Sequence, residues 1–225
     1  MVTVVGYAVT NTGVQIPLRN DSVTNGTEFT LQTDSNVTTT AQDIGTYAPG
    51  QMLTQIEVFA PSSISYAYVL RQGTILAWAS VNAADVNNMA QNLCAPVLLR
   101  PGDQIRVLSL TATARNAALC VYTAQGTSRI FIGTPSGAGT TQLNDLQDTN
   151  NSIGDTLQGQ RIVKAMFTSV DGSKIVSSGS AWIRNASAQV VGLVPATSPA
   201  KAEPMISDVS IPIELNWTAT VVTSS

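Results

Sequence analysis

The chain has 225 residues, enough for one large or two small domains. Only 11% of them are charged, against about 25% in an ordinary soluble domain, while 44% are apolar, so Thr, Ser, Asn, Gln and Gly fill the difference. Residues 1–115 hold five Arg and seven acids and the rest three Arg, three Lys and seven acids. That leaves no basic stripe for a nucleic-acid backbone. The absence of His removes Ser-His-Asp and Cys-His catalysis, histidine general bases and most transition-metal sites.

The N-terminal stretch MVTVVGYAVTNTG carries no basic residue before Arg19, so no signal peptide is expected, and no apolar run approaches the ~20 residues of a membrane span. The expectation is a chain made in the cytoplasm. Strand signals then follow one another: TVVGYAV (3–9), EFTLQT (28–33), QIEVFA (55–60), SYAYVL (65–70), TILAWAS (74–80), APVLL (95–99) and QIRVLSLTAT (104–113). The later half continues with ALCVYT (118–123), RIFIGT (129–134), QRIVKAMFTSV (160–170), KIVSS (174–178), SAWIR (180–184), VVGLV (190–194) and IPIELNWTATVV (211–222). Turn residues separate them, among them Asn25-Gly26, Pro101-Gly102-Asp103 and Asp171-Gly172, the last predicting a tight hairpin. Only residues 79–93, ASVNAADVNNMAQNL, hint at a helix. The pattern predicts an all-β protein of antiparallel β-sandwiches.

An internal repeat is expected as well. LSLTAT (108–113) recurs as LNWTAT (215–220), an offset of 107, and both flanks alternate apolar and polar residues in the same phase. Ala77-Trp78 recurs as Ala181-Trp182, and Gly50 and Leu53 as Gly154 and Leu157, an offset of 104. Thr33, Ser35, Thr39 and Thr40 answer Thr134, Ser136, Thr140 and Thr141 at 101. These matches predict two tandem, internally duplicated sandwiches, residues 1–115 and 116–225. Trp78 and Trp182 are expected at equivalent positions as core anchors, with an aromatic ligand site as the alternative.

The run GQMLTQIEVFAPSSISYAYVLRQGTILAW, followed by LLRPGDQIRVLSL, resembles viral jelly-roll modules over residues 50–113. In those modules a Gly opens an inner strand, a hairpin presents a short tip (here Arg71-Gln72-Gly73), and a Pro-Gly-Asp turn launches a late strand. The second copy has no Pro-Gly-Asp at residues 208–210. Two such modules in tandem also resemble double jelly-roll capsid proteins, whose trimers form pseudo-sixfold tiles. The resemblance implies a virion component.

Candidate chemistry is sparse. Asp145, Asp148 and Asp155 cluster in LNDLQDTNNSIGD, but their spacing fits no EF-hand, leaving a weak Ca²⁺ site or a solvated loop as readings. GTPSGAGTT (133–141) lacks the Lys of a phosphate loop, and SSGSAW is no nucleophile elbow. Cys94 and Cys120 sit in apolar contexts as free thiols or a disulfide. No catalytic, cofactor or metal residue is assigned. A nearly uncharged polar surface makes self-association cheap. The function expected is a non-enzymatic virion structural protein, a capsid or capsid-decorating subunit. Its expected partners are itself, most readily as a trimer, and other virion proteins, without direct nucleic-acid contact. A receptor- or carbohydrate-binding module of a tail or adhesin is the alternative, and a hydrolase on a β scaffold a third reading.

Overall fold

A computed structural model describes residues 2–23, 28–33, 42–59, 64–82, 90–110, 117–135, 139–171, 174–175, 180–195 and 206–223. The chain divides into two compact units, Met1–Ser109 and Leu110–Ser225. Unit 1 contains β1 (Val2–Thr10), β2 (Gln15–Val23), β3 (Glu28–Thr33), the single-turn helix α1 (Ile44–Tyr47), β4 (Met52–Phe59), β5 (Ile64–Arg71), β6 (Thr74–Asn82), β7 (Gln91–Leu98) and β8 (Gln104–Ser109). Unit 2 contains β9 (Ala117–Thr123), β10 (Ser128–Gly133), β11 (Gly139–Asp145), α2 (Ile153–Leu157), β12 (Arg161–Asp171), β13 (Lys174–Ile175), β14 (Ser180–Arg184), β15 (Val190–Pro195), β16 (Ser207–Pro212) and β17 (Thr218–Thr223).

The strands of unit 1 run in the order β6-β5-β8-β3-β2-β1-β4-β7, all antiparallel. Those of unit 2 run β15-β14-β17-β11-β10-β9-β12-β16, with the two-residue β13 as an addition beside β12. Once β13 is set aside the two orders are the same, strand for strand. Each sheet is nearly barrel-closed, so the chain is two tandem, duplicated β-sandwich-like units. In each, the first four strands form a Greek key, β4-β1-β2-β3 and β12-β9-β10-β11. Each sheet also has the same thin seam. β2 meets β3 through Leu18–Thr33 and Arg19–Gln32, and β10 meets β11 through Phe131–Asp145 and Ile132–Asn144. A two-pair ladder lets the sheet fold into two layers over one core.

That core is clearest in unit 2. Alternation points Ala117, Leu119 and Val121 of β9, Ala165 and Phe167 of β12, Ala181 and Ile183 of β14, and Ala219 and Val221 of β17 inward, where all are buried. Each large side chain so covered, such as Phe131 or Phe167, stabilises the unit by about 2 kcal/mol.

The repeat extends to individual hydrogen bonds. In the first hairpin of each unit, Thr10 and Thr123 begin a T-x-x-G turn, an offset of 113, and each Oγ1 accepts from the backbone N–H four residues on (Val14, 3.2 Å; Thr127, 3.0 Å). Gly13 and Gly126 take left-handed φ of 80° and 85° there. Ile44-Gly45 answers Ile153-Gly154 and Gly50-Gln51 answers Gly159-Gln160, an offset of 109. Gly45 N–H donates to Asp103 O (3.1 Å) and Gly154 N–H to Trp217 O (3.0 Å). The register shift between Leu53 and Gln55 of β4 has its twin between Ile162 and Lys164 of β12.

These correspondences correct the ones suggested by letters. LNWTAT does not occupy the place of LSLTAT. Leu215 and Asn216 lie in a turn, Leu215 is 49% exposed, and Asn216 has φ +64°. The expected long strand 211–222 is therefore broken into β16 and β17. The turn Glu214–Trp217 is the counterpart of Arg100–Asp103, because both cover the helical glycine, so the second unit has its late turn at 214–217 rather than 208–210. Trp182 pairs across from Leu193 on β14 and corresponds to Tyr68 of β5, not to Trp78 of β6. Trp78 is fully buried as expected, whereas Trp182 is half-buried with the Arg184 guanidinium over its ring. Gly154 corresponds to Gly45 rather than Gly50, and Asp145 rather than Thr134 to Thr33. The helix hinted at in 79–93 has strand at both ends, and its middle, 83–89, lies outside the described residues. The Asp171-Gly172 hairpin is represented by the Asp171–Lys174 pair, with Gly172 outside the described residues.

A Cβ on Gly45 would sit 1.9 Å from Arg100 O, and one on Gly154 2.5 Å from Trp217 N. Gly154→Ala and Gly45→Ala should each destabilise by about 3 kcal/mol, read by urea unfolding. Gly50→Ala meets no atom within 4 Å and strains only φ +79°, so it should cost about 1 kcal/mol.

Candidate functional site

The three aspartates singled out in sequence are each occupied by local structure. Asp145 is buried, pairs with Arg129 (Nε to Oδ2, 3.4 Å) and accepts from Gln147 N–H (2.8 Å). Asp148 accepts from Asn150 N–H (3.1 Å) and Asn151 Nδ2 (3.2 Å), shaping its own turn. Asp155 closes the capping box of α2. Its carboxylate accepts from Ser152 N–H (2.9 Å) and Oγ (2.6 Å), while Ser152 Oγ accepts from Asp155 N–H. These Ser152 hydrogen bonds, side chain first and backbone second, hold Asp155 below the usual carboxylate range. Among the described residues no group of three His, Cys, Asp or Glu is placed to hold a metal ion.

Several described arginines are likewise engaged within the fold. Asp103, fully buried, takes a bidentate fork from Arg71 (Nε and Nη2, both 2.7 Å) and a backbone bond from Arg100 N–H (2.9 Å). Arg71 Nη2 also donates to Leu98 O (2.8 Å), so one side chain ties the β5–β6 hairpin tip to the Pro101-Gly102 turn. The Asp103 hydrogen bond raises the Arg71 pKa further. Arg106 donates to Glu28 (2.7 Å), which also accepts from the buried Tyr68 hydroxyl. Burial first, then Glu28, pushes that hydroxyl far above the ordinary tyrosine range. On the outer face of β1 and β4, Tyr7 donates to Glu57, whose hydrogen bond raises the Tyr7 pKa. Each of these carboxylates has a structural hydrogen-bond or ion-pair partner. Ser136 to Ala138 of the glycine-rich GTPSGAGTT run lie outside the described residues. Cys94 and Cys120 are buried free thiols, one in each unit. No described helix is long and apolar enough to cross a membrane.

What sequence reasoning missed is apolar surface. On the outer face of β14–β15 stand Val190 (45% exposed), Leu193 (51%) and the half-buried Trp182 under Arg184. Val191, at the register shift between Ile183 and Arg184, is exposed beside them. On the outer face of β1–β4, Val5 (44%) and Phe59 (36%) oppose each other, with Tyr7 tilted against Phe59 at 6.4 Å between ring centres. VVGLV reads as a buried strand by composition, and nothing in its letters announces that most of it faces outward.

No protein-family model, curated protein or solved structure matches the chain.

Two outcomes test these assignments. Arg71→Met leaves the buried Asp103 carboxylate without its cation and should cost about 3 kcal/mol by denaturant unfolding. For Asp155 the folded pKa is depressed, so its contribution to stability is present above the ordinary carboxylate pKa and is lost as pH falls through the folded value. Asp155→Asn should therefore lower the melting temperature at neutral pH, and the gap to the unmodified chain should close as pH falls through the depressed folded value, followed by thermal melts across pH.

Proposed function

We propose that this chain is a non-enzymatic structural subunit that works by assembling with copies of itself, as a coat or capsid-decorating component of a virion. The observation that carries the reading is the pair of bare apolar faces, β1–β4 and β14–β15, on a chain with only 11% charged residues. Contiguous exposed apolar residues on a sheet face favour association, and a surface with few charges offers little repulsion against it. The fold and the polar accounting agree with this. Among the described residues, Asp103, Asp145, Asp155 and Glu28 are held in turns, caps and ion pairs, where they stabilise the scaffold. A symmetric homo-oligomer is the general form of such assembly, and a trimer of two-unit chains presents six similar units around one axis.

A second reading, a carbohydrate- or receptor-binding module, draws on Trp182, whose half-exposed ring under Arg184 is a platform for a sugar face. Glycan-array binding lost on Trp182→Ala would favour it.

The test is mass in solution by light scattering, with negative-stain images of the same fractions. Trimers, rings, tubes or shells are expected, their population rising with protein concentration. A strict monomer at high concentration would remove the assembly reading.

A further inference from the structure

The residues that cross the outer side of β14, β17 and β11 form a row with a twin in unit 1, and the two rows differ in how a cation is balanced. Cross-strand pairing sets Trp182 beside Thr220 and Thr220 beside Gln142. In unit 1 the same pairing sets Tyr68 beside Arg106 and Arg106 beside Thr30. There the cation is neutralised within the unit, Arg106 donating to Glu28 at 2.7 Å. In unit 2 the place of Glu28 is taken by Thr140, paired with Val222 as Glu28 is with Leu108. Unit 2 has a cation on this side too, Arg184, two residues along β14 from Trp182. Its Nε donates to Thr220 Oγ1 (3.2 Å) and its Nη1 to Ala188 O (2.8 Å), and among the described residues it has no carboxylate partner.

We propose that this side of unit 2 is a binding site for an acidic glycan, with Arg184 taking a sugar carboxylate and Trp182 packing against the sugar ring. The proposal rests on the binding-module reading and deepens it by naming the ligand class and its contacts. A carboxylate suits Arg184, because its Nη2 is unused in the fold and a planar guanidinium holds carboxylates through charge-assisted hydrogen bonds. Nothing on these strands competes for it. The one acid in β11, β14, β15 and β17 is Asp145, buried on the opposite side with Arg129. Trp182 is half-buried, with the Arg184 guanidinium 4.9 Å from its ring centre, and its indole N–H has no partner among the described residues. An apolar plate with a free donor at its edge matches the C–H and hydroxyl groups of a sugar. Leu193, 51% exposed and directly across from Trp182, widens that plate.

A second contact lies two strands away, on the order of 10 Å from β14. Gln142 and Asn144 are joined by a hydrogen bond from Nε2 to Oδ1 (2.8 Å). That bond leaves the Gln142 Oε1 acceptor and the Asn144 Nδ2 donor without partners among the described residues. An acceptor and a donor side by side suit the neighbouring hydroxyl groups of a sugar. The acidic sugar therefore belongs at Trp182 and Arg184 and the next sugar at Gln142 and Asn144, so that a disaccharide spans the site.

The test is titration of the full chain with two matched pairs, sialyllactose against lactose and digalacturonate against its methyl ester, read by calorimetry and tryptophan fluorescence. Trp78 and Trp217 are buried, so Trp182 is the tryptophan that a ligand reaches. The carboxylated member of at least one pair should bind at least about tenfold more tightly than its neutral partner and change the fluorescence. Arg184→Gln and Trp182→Ala should each weaken that binding at least about tenfold. Gln142→Ala, at an exposed position, should weaken binding of the disaccharide and leave that of the single acidic sugar unchanged. Neutral sugars that bind as well as acidic ones, with a loss on Trp182→Ala and none on Arg184→Gln, would overturn the acidic-glycan site and leave the binding-module reading standing. Binding that neither variant alters would overturn it too, by placing the ligand elsewhere. No binding in either pair would also overturn it, and a glycan array without a hit would then remove the binding-module reading as well.

Discussion

The close approach of one turn to one glycine organises each unit. In unit 1, α1 lies under the turn at Arg100–Asp103, and in unit 2, α2 lies under the turn at Glu214–Trp217. The contact is so tight that a single methyl group on Gly45 or Gly154 would overlap backbone atoms. From that point the rest follows. The helix leads through a left-handed glycine, Gly50 or Gly159, into β4 or β12, whose first residues pair with β7 or β16. The turn itself launches β8 or β17, the strand that lies between the β5-type and β3-type strands. One steric fit therefore sets the register at the end of the sandwich where most of the connections converge.

The two units solve the same packing problem with different chemistry. In unit 1 the last residue of the turn is Asp103, buried and held by the Arg71 fork. In unit 2 the same place is taken by Trp217, an indole packed into the core, and the position of Arg71 is taken by Asn185, whose Oδ1 accepts from Ser187 and Gln189 N–H to shape the hairpin. A buried ion pair must be complete to be tolerated, whereas an indole contributes by area alone. This divergence hides the equivalence from letter comparison, although the backbone hydrogen bonds around it agree between the units to within a few tenths of an ångström.

Divergence of the outer faces carries the functional reading. A duplicated fold presents every surface twice, and identical demands on both copies would keep both alike. Here one version of each face is buried and the other is bare and apolar. Among the described residues, several of the few charges serve the interior and the hairpin tips.

Much of this was readable from the letters. Period-two alternation and spaced turn residues identify a chain of antiparallel strands, because the pleat imposes that period on any half-buried strand. The absence of His, the scarcity of charge and the apolar settings of both cysteines follow from composition. Duplication was legible too, but its register was not. LSLTAT and LNWTAT share letters because Thr and Ala are common here, while T-x-x-G at 10–13 and 123–126, and Ile-Gly with Gly-Gln six residues beyond that Ile at 44–51 and 153–160, carry the true correspondence. Those positions are constrained by left-handed backbone and by contact with a distant turn, constraints that are visible once the pairing is known. The bare faces lay wholly beyond sequence reasoning. Leu193 and Trp78 are both apolar residues in strands, and their different burial is a long-range property that no local pattern encodes.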